Sequence, residues 1–576
     1  LQYFGYFDSA ASWVGATGNY TVATKDHANV TWIANNAIGD NNWQCATDSW
    51  HIPRIQEAAS HDMKVVLDVH ALFFDLSNNS NTNRYLRQDY EAKWTAYADC
   101  IEQYLSTVAA FYLLDEPYGK DEVRNDKPGI REAINTVARL IKARFPGKPV
   151  ATIFDYASLQ DTGSLGRAFD IAGLPADLDW VGMDCYYDYK SNPSFEECGG
   201  RSLVWYTNQL KRKMSAAQRL FLVPQAAVFD TRGDQAAQIS HQQQVLRRLG
   251  REMSIALADP LFIGIFPFTY QTHYAVYTTP TKTTIEDWTG PEELPRLKQQ
   301  YVSLGKHILT GTPLRLPPYA AEASNTASGS STELAFDGES STAWSAGSFA
   351  HKATGEKQSI ELDLGEITPV NQLRFRVAQT PAGPTEHIVY AGSTPNPQTV
   401  LVQFNQSTQN GDWLEWSGAA QDVRYVRIET IESPSWVSWS EIEVYRTGSP
   451  TRVHPLPKDT SQGADLTLLN LADAYGFTVW NSNAPATQWV VLDLGQPISV
   501  RRIRLLPSQW PNGTTVHEVR SGPPVAPSIL LGTLSGYTED NKWIELNGPF
   551  TNVRYLQVRT TSSPSWVSWR EIEVYR

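Results

Sequence analysis

No apolar run in this 576-residue chain approaches the roughly 18 residues that a membrane helix needs, so no helical span is expected. The formal charge of −13 is spread along the chain, which argues against nucleic acid, because phosphate neutralisation needs grouped basic residues. Cysteine is scarce: Cys45, Cys100, Cys185 and Cys198 are the only four, and none has the C-x-x-C spacing of a zinc or redox site. They allow two disulfides, with the pairing left open. Aromatic residues, by contrast, abound. The 19 Trp and 26 Tyr offer flat faces on which sugar C–H groups pack, although large β-sandwich cores use Trp as well. The chain begins at Leu1, as it would after removal of a signal peptide or after trimming; a secreted, extracellular protein is expected.

About 260 residues at the C-terminal end are an internal duplication. SPSWVSWSEIEVYR ends at Arg446 and SPSWVSWREIEVYR ends at Arg576, differing only at Ser440 and Arg570. ELAFDGESSTAW, ending at Trp344, corresponds to NLADAYGFTVW, ending at Trp480. Asp363-Leu364-Gly365 corresponds to Asp493-Leu494-Gly495. Short period-two segments separated by Gly, Pro, Asn and Ser predict two antiparallel β-sandwiches, at 318–446 and 455–576.

The order A-x-D-G-x-x-x-T-x-W, then LDLG, then a closing W-S-E-I-E-V-Y resembles the discoidin, or coagulation-factor type C, family, whose bacterial members include the family 32 carbohydrate-binding modules. The resemblance implies a galactose-binding-like jelly roll in each copy. It also implies a structural Ca²⁺, held through Asp337, Thr342 and Glu441 in the first copy and Asp473, Thr478 and Glu571 in the second. Those are hard oxygen donors, which suit Ca²⁺. The second copy departs at Ala474, where the motif has Gly. In relatives the ligand sits on loops at one end; Trp510, His517 and Arg520 are candidates in the second copy, and His387 in the first.

Residues 1–312 read differently. Eight apolar, β-rich segments begin at YFGYFD and end at FIGIFPFTY, mostly separated by helical or loop stretches such as PGIREAINTVARLIKARF. This alternation predicts a (β/α)₈ TIM barrel. The C-terminal ends of such strands carry active sites. Here they bear Asp8, Asp68, His70, Asp115, Glu116, Asp155, Tyr156, Asp184, Tyr186, Tyr187, Gln225, Tyr270 and Gln271. Carboxylates, amides and aromatics on one rim suit a sugar-cleaving pocket. Phosphate chemistry would want Gly-rich loops with Lys or Arg there, and a metal hydrolase would want several His.

LLDEP closes the fourth predicted strand, where many barrel glycosidases keep their acid. Glu116 is assigned as general acid, the group that must hold a raised pKa to protonate the leaving oxygen. The seventh strand, LFLVPQAAV, has Gln225 where retaining barrel glycosidases keep a Glu nucleophile. Two alternatives follow for the second group. Asp184, in GMDCYYDY, is one. The other is Asp115, in an Asp-Glu pair that resembles the substrate-assisted hexosaminidases, where the substrate's own N-acetyl oxygen attacks and Tyr186 or Tyr187 supports it. Asp8, His70, Asp155, Tyr186, Tyr187, Gln225 and Tyr270 are expected to bind substrate. No cofactor is expected for catalysis. The chain reads as a monomeric, secreted glycoside hydrolase held on a polysaccharide or glycan by two sugar-binding modules. The alternative is a non-catalytic adhesion protein with a degenerate barrel.

Overall fold

The computed structural model describes residues 1–11, 19–74, 86–118, 127–159, 173–186, 200–229, 231–278, 283–463 and 466–576. The first ten strands are β1 (Tyr3–Phe4), β2 (Ala10–Ala11), β3 (Val30–Ala34), β4 (Lys64–Asp68), β5 (Val108–Asp115), β6 (Val150–Asp155), β7 (Trp180–Asp184), β8 (Arg219–Val223), β9 (Val228–Phe229) and β10 (Phe262–Ile265). All but β9 form one parallel, barrel-like sheet of nine strands in the order β1-β10-β8-β7-β6-β5-β4-β3-β2. Its two ends belong to one stretch of chain: Tyr3 and Phe4 pair with β10, and Ala10 and Ala11 pair with β3. All eight predicted segments supply strands to this sheet.

Strand alternation divides the side chains into two layers. One face gathers Phe7, Val30, Trp32, Tyr112, Ile153, Trp180, Phe221 and Phe266 into an inner cluster. The other, with Ile33, Leu67, Leu113, Val181 and Leu222, packs beneath the helices. Gly182 is required by the inner layer: a Cβ there would lie 2.3 Å from the Phe221 ring.

The longer helices are α1 (His51–Ser60), α2 (Tyr90–Ile101), α3 (Lys127–Arg144), α4 (Leu203–Lys213), α5 (Gln235–Ala258) and α6 (Pro295–Thr310). In α3, Ile130, Ile134, Val137, Ala138 and Ile141 recur at helical spacing and face the sheet. A disulfide joins Cys45 to Cys100, and Cys185 is also disulfide-bonded. Beside the sheet, β9 pairs with the hairpin of β11 (His273–Thr278) and β12 (Thr283–Thr289). Among the described residues, no helix is long and apolar enough to cross a membrane.

The C-terminal part is two all-β sandwiches. The first contains β13 (Leu314–Leu316), β14 (Ala320–Ala323), β15 (Trp344–Ser345), β16 (Gln358–Val377), β17 (Gly383–Gly392), β18 (Val400–Thr408), β19 (Trp413–Glu432) and β20 (Ser438–Arg446). The second contains β21 (Arg452–Val453), β22 (Leu456–Thr460), β23 (Trp480–Asn481), β24 (Gln488–Pro507), β25 (Gly513–Gly522), β26 (Ile529–Thr538), β27 (Ile544–Ser562) and β28 (Ser568–Tyr575). Their strand orders are the same, β13-β20-β16-β19-β17-β18 and β21-β28-β24-β27-β25-β26. Each sheet takes in a short strand ahead of the expected start, at Leu314 and at Arg452. Strands this short leave no periodicity to read.

The three units are packed together. Gln299 of α6 donates to the Gly338 carbonyl at 2.9 Å, and Arg201, just before α4, donates to Asn470 at 3.1 Å. Arg501 of the second sandwich pairs with Asp422 of the first at 2.7 Å.

Candidate functional site

The predicted rim residues converge, and a β-bulge is part of the reason. Tyr112 pairs with Ala151 and Asp115 with Ile153, so three steps along β5 match two along β6. The extra residue reverses the parity of β5, which would otherwise send Tyr112 and Asp115 to opposite faces. Tyr112 reaches up from the inner cluster and its hydroxyl donates to Asp115 at 2.9 Å. Directly after the strand, Glu116 has φ +44°, and Asp8 has φ +55°. Left-handed backbone at a non-glycine residue is strained and gathers at functional sites. At Glu116 it turns a second carboxyl in beside Asp115.

Asp184, at the end of β7, is 4% exposed, and its carboxyl is hydrogen-bonded to Glu116. Burial pushes Asp184 well above the usual carboxylate range, with the charges of Glu116, Asp115 and Asp155 adding to it. The Tyr186 hydroxyl is raised by burial and then by Asp184, Asp115, Glu116 and Asp8. Tyr112 is raised by burial and then by Asp115, Asp68 and Asp8. Asp8, Asp68, Asp115, Glu116, Asp155, Asp184 and Tyr186 therefore share one electrostatic neighbourhood. His70 joins through Asp68, its Nδ1 lying 2.6 Å from Oδ1. Asp155 accepts from Ser158.

Two expected substrate residues lie elsewhere. Gln225 turns toward α5: Arg248 donates to its Oε1 at 3.2 Å, its Nε2 donates to the Ala227 carbonyl at 2.9 Å, and His241 lies 3.3 Å away. It braces the helix layer. Tyr270 is buried against the rings of Tyr6 and Tyr20, at 5.0 and 5.4 Å. Tyr187 lies outside the described residues.

The sequence reading missed an aromatic wall. Tyr186 packs on Phe268 at 5.3 Å and Phe229 at 6.1 Å, and Phe268 meets Trp288 of β12 at 5.6 Å. The added hairpin brings Trp288 against Phe268 and Phe229. The β-branched and aromatic residues of TTIEDWT were the available signal.

In the sandwiches, the duplicated W-V-S-W divides its two tryptophans. Trp439 and Trp569 are buried beneath the sheets, whereas Trp436 and Trp566 are 52% and 55% exposed. Trp436 lines a shallow cleft with Phe349, Thr380 and Pro381. Trp566 lines the equivalent cleft with Pro511 and Trp510, which is 84% exposed. Of the expected loop ligands, Trp510 is therefore an exposed cleft residue. His387 and His517 are corrected: both are buried core residues, bonded to Thr430 and Thr560 at 2.9 and 3.0 Å, and each ring packs 4.8 Å from Trp439 or Trp569. Burial lowers them to about 3 and about 4. Arg520 forms an ion pair with Glu518 at 3.0 Å.

The expected metal donors also meet. Thr342 donates to Asp337 at 2.7 Å, and Thr478 to Asp473 at 2.9 Å. Burial pushes Glu441 up to about 7, Arg315 opposing and Asp337 adding to it. Glu571 is raised in the same way beside Arg452 and Asp473. Arg315 and Arg452 each bond one oxygen of the glutamate, at 2.8 and 3.0 Å. The other oxygens, Glu441 Oε1 and Glu571 Oε2, are buried and accept no hydrogen bond. The aspartate, the threonine hydroxyl and the glutamate with its orphaned oxygen are donors of the kind that suits a hard cation. Among the described residues, no three His, Cys, Asp or Glu side chains group as a metal site. Gly338 and Ala474 occupy the same left-handed position, φ +83° and +65°.

Residues 320–442 match the F5/8 type C domain and form one. No curated protein matches the chain. Among solved structures, the chain is 26% identical to the CBM32 of AlyQ in complex with 4,5-unsaturated mannuronic acid, over 23% of this chain and 99% of that one, with a TM-score of 0.21. It is 10% identical to the CBM32-1 and CBM32-2 domains of Clostridium perfringens ZmpB in complex with GalNAc, over 54% and 98%, with a TM-score of 0.22. Chitosan-binding module 1 of a chitosanase/glucanase from Paenibacillus sp. IK-5 is 22% identical over 22% and 94%, with a TM-score of 0.19. At such scores these likenesses carry no argument about the chain.

Proposed function

We propose that this protein is a secreted, monomeric glycoside hydrolase, with a closed (β/α)₈ barrel followed by two discoidin-like sugar-binding modules. Barrel closure is favoured by the Tyr3–Ala11 stretch, which borders β10 on one side and β3 on the other. Export is favoured by the Cys45–Cys100 disulfide, since such bonds persist in oxidising compartments. Glycan binding is favoured by the exposed Trp436 and Trp566, at the same place in both copies. The modules would hold the enzyme on its polymer and raise local substrate concentration.

One observation carries the catalytic reading: the buried Asp184 carboxyl stands among the strand-end carboxyls and is raised by burial, with Glu116, Asp115 and Asp155 adding to it. A glycosidase needs a carboxyl whose protonated form is favoured, and burial favours it at Asp184. Asp115 and Glu116 are adjacent, Asp115 accepts from the Tyr112 hydroxyl at 2.9 Å, and Tyr186 shares their electrostatic neighbourhood. This favours substrate assistance on an N-acetylhexosamine. Glu116 would protonate the leaving oxygen, with the raised Asp184 carboxyl beside it. Asp115, held by Tyr112, would orient the acetamide, and Tyr186 would support it. Ca²⁺ would be structural, held by Asp337, Thr342 and Glu441, and by Asp473, Thr478 and Glu571.

The test is reducing-end release from glycans with and without N-acetyl groups, using the full chain and Glu116→Gln. Hydrolysis of N-acetylated substrates only, lost in the variant, is the expected outcome. Binding without cleavage of any glycan would sink the enzyme reading in favour of an adhesion protein.

A further inference from the structure

Where α5 and the two sandwiches meet, they enclose a cavity of about 290 Å³. Its lining contains five arginines, Arg247, Arg251, Arg424, Arg446 and Arg452, against one carboxylate, Glu366. Arg424 and Arg452 are matched by acids. Arg424 grips Asp363 with two bonds of 2.8 and 2.9 Å. Arg452 faces Glu571, Glu573 and Glu366 at 3.0, 3.3 and 3.7 Å. Arg247 donates to the Tyr319 carbonyl and lies over the Tyr319 ring at 5.1 Å. Arg251 lies 5.9 Å from the Tyr319 ring and 5.7 Å from that of Tyr475.

Arg446 is different. It is 2% exposed, its Nε has no hydrogen-bond partner, and no carboxylate among the described residues lies within ion-pair distance of it. Burial lowers it to about 10, with only Glu366 pulling the other way. An uncompensated buried guanidinium costs several kcal/mol, on the order of a domain's whole net stability. Its counterpart at the end of the second copy, Arg576, escapes this: it is partly exposed and donates Nε to the Pro450 carbonyl at 3.0 Å. The duplication put the same residue in two places, and only the one at the three-way seam lacks an acceptor.

We propose that this seam cavity is an oxyanion site, in which Arg446 binds a sulfate or phosphate group. Guanidinium forks match the oxygens of such groups bidentately, and the neighbouring arginines add to the field. The volume holds an oxyanion with several waters, at about 30 Å³ per water. The group is either a free ion or a substituent on a sugar. The second source has a structural basis, because Tyr475 and Phe477 stack at 4.6 Å and Phe477 is 70% exposed. Because α5 and both sandwiches line the cavity, bound anion would tie them together.

The experiment is calorimetric titration of the full chain with inorganic phosphate, with sulfate, and with a hexosamine 6-sulfate beside its unsulfated parent, all at constant ionic strength. Saturable binding of about one equivalent is expected. Tighter binding of the sulfated sugar than of sulfate assigns the sugar-borne source, and equal affinity assigns the free ion. Arg446→Met should fold as well as the parent, since replacing an unmatched buried charge by an apolar side chain is often neutral or stabilising. It should weaken phosphate and sulfate binding at least tenfold. Thermal denaturation in phosphate separates this from the general stabilisation that such salts give by exclusion, because the site-specific part of the shift disappears in the variant. No saturable binding to the parent chain, or undiminished binding to Arg446→Met, overturns the proposal.

Discussion

The carboxyl of Asp184 is hydrogen-bonded to that of Glu116, although the two residues are 68 positions apart in the chain (184 − 116). Raising the Asp184 pKa keeps the protonated form to higher pH than an ordinary carboxyl would. Activity that depends on this proton is therefore present below the raised pKa and falls as pH rises through it. Asp184→Asn should lower kcat/KM by roughly 10²-fold or more and move the alkaline limb. A pH–rate profile of the variant checks this; an unmoved limb would detach Asp184 from the chemistry. Tyr112→Phe, which removes the hydroxyl that holds Asp115, should reduce kcat more than it changes folding stability.

Glycan affinity should reside on Trp436 and Trp566. Replacing either by Ala should weaken binding about tenfold, and the double variant should lose the avidity of two linked sites. Trp439→Ala, three residues beyond Trp436, should instead destabilise the first sandwich by about 3–5 kcal/mol. Affinity electrophoresis and thermal melts distinguish the two outcomes.

His387 and His517 predict acid sensitivity. In the folded protein burial holds them neutral down to about 3 and about 4, against an ordinary value of 6.5. The unfolded chain takes up their protons first, so stability is full above about pH 6.5 and is lost as pH falls toward the folded values. For His517 the full loss is about 3 kcal/mol, at 1.36 kcal/mol per unit. Urea denaturation between pH 7 and 4 should give a shallower slope for His517→Gln than for the parent.

Calcium should bind with two equivalents and raise the melting temperature. Asp337→Ala should remove one equivalent and Asp473→Ala the other, as read by titration. Ala474→Gly should relieve the left-handed strain of the second loop, by about 1 kcal/mol. A melting temperature that does not rise with it would count against that reading.

Much of this architecture was visible before folding. The eight β-rich segments and the duplicated sandwiches follow from local periodicity, and the strand ends named the carboxyl cluster. The bulge between Tyr112 and Asp115 was not visible, because it exists only as a mismatch with β6. Gln225 was read as a rim residue because it follows the seventh strand; Arg248 on α5 instead engages it from the helix side. His387 and His517 read as loop ligands because the resembled family binds its ligand on end loops; threonines on the neighbouring strand satisfy them in the core.

The two halves of W-V-S-W mark the boundary most clearly. Residue order alone establishes that the motif is duplicated and belongs to a β-sandwich, since that depends on short-range pattern. Which tryptophan is buried and which is bare depends on the loop path and on the strand that Trp439 pairs with, Trp344 across the sheet. The same division holds for Arg446 and Arg576. Their identity is a matter of sequence, but the loss of an acceptor at Arg446 arises only where three units close around it. Long-range packing, not local propensity, sets the solvation of each side chain, and solvation is what turns a residue into a site.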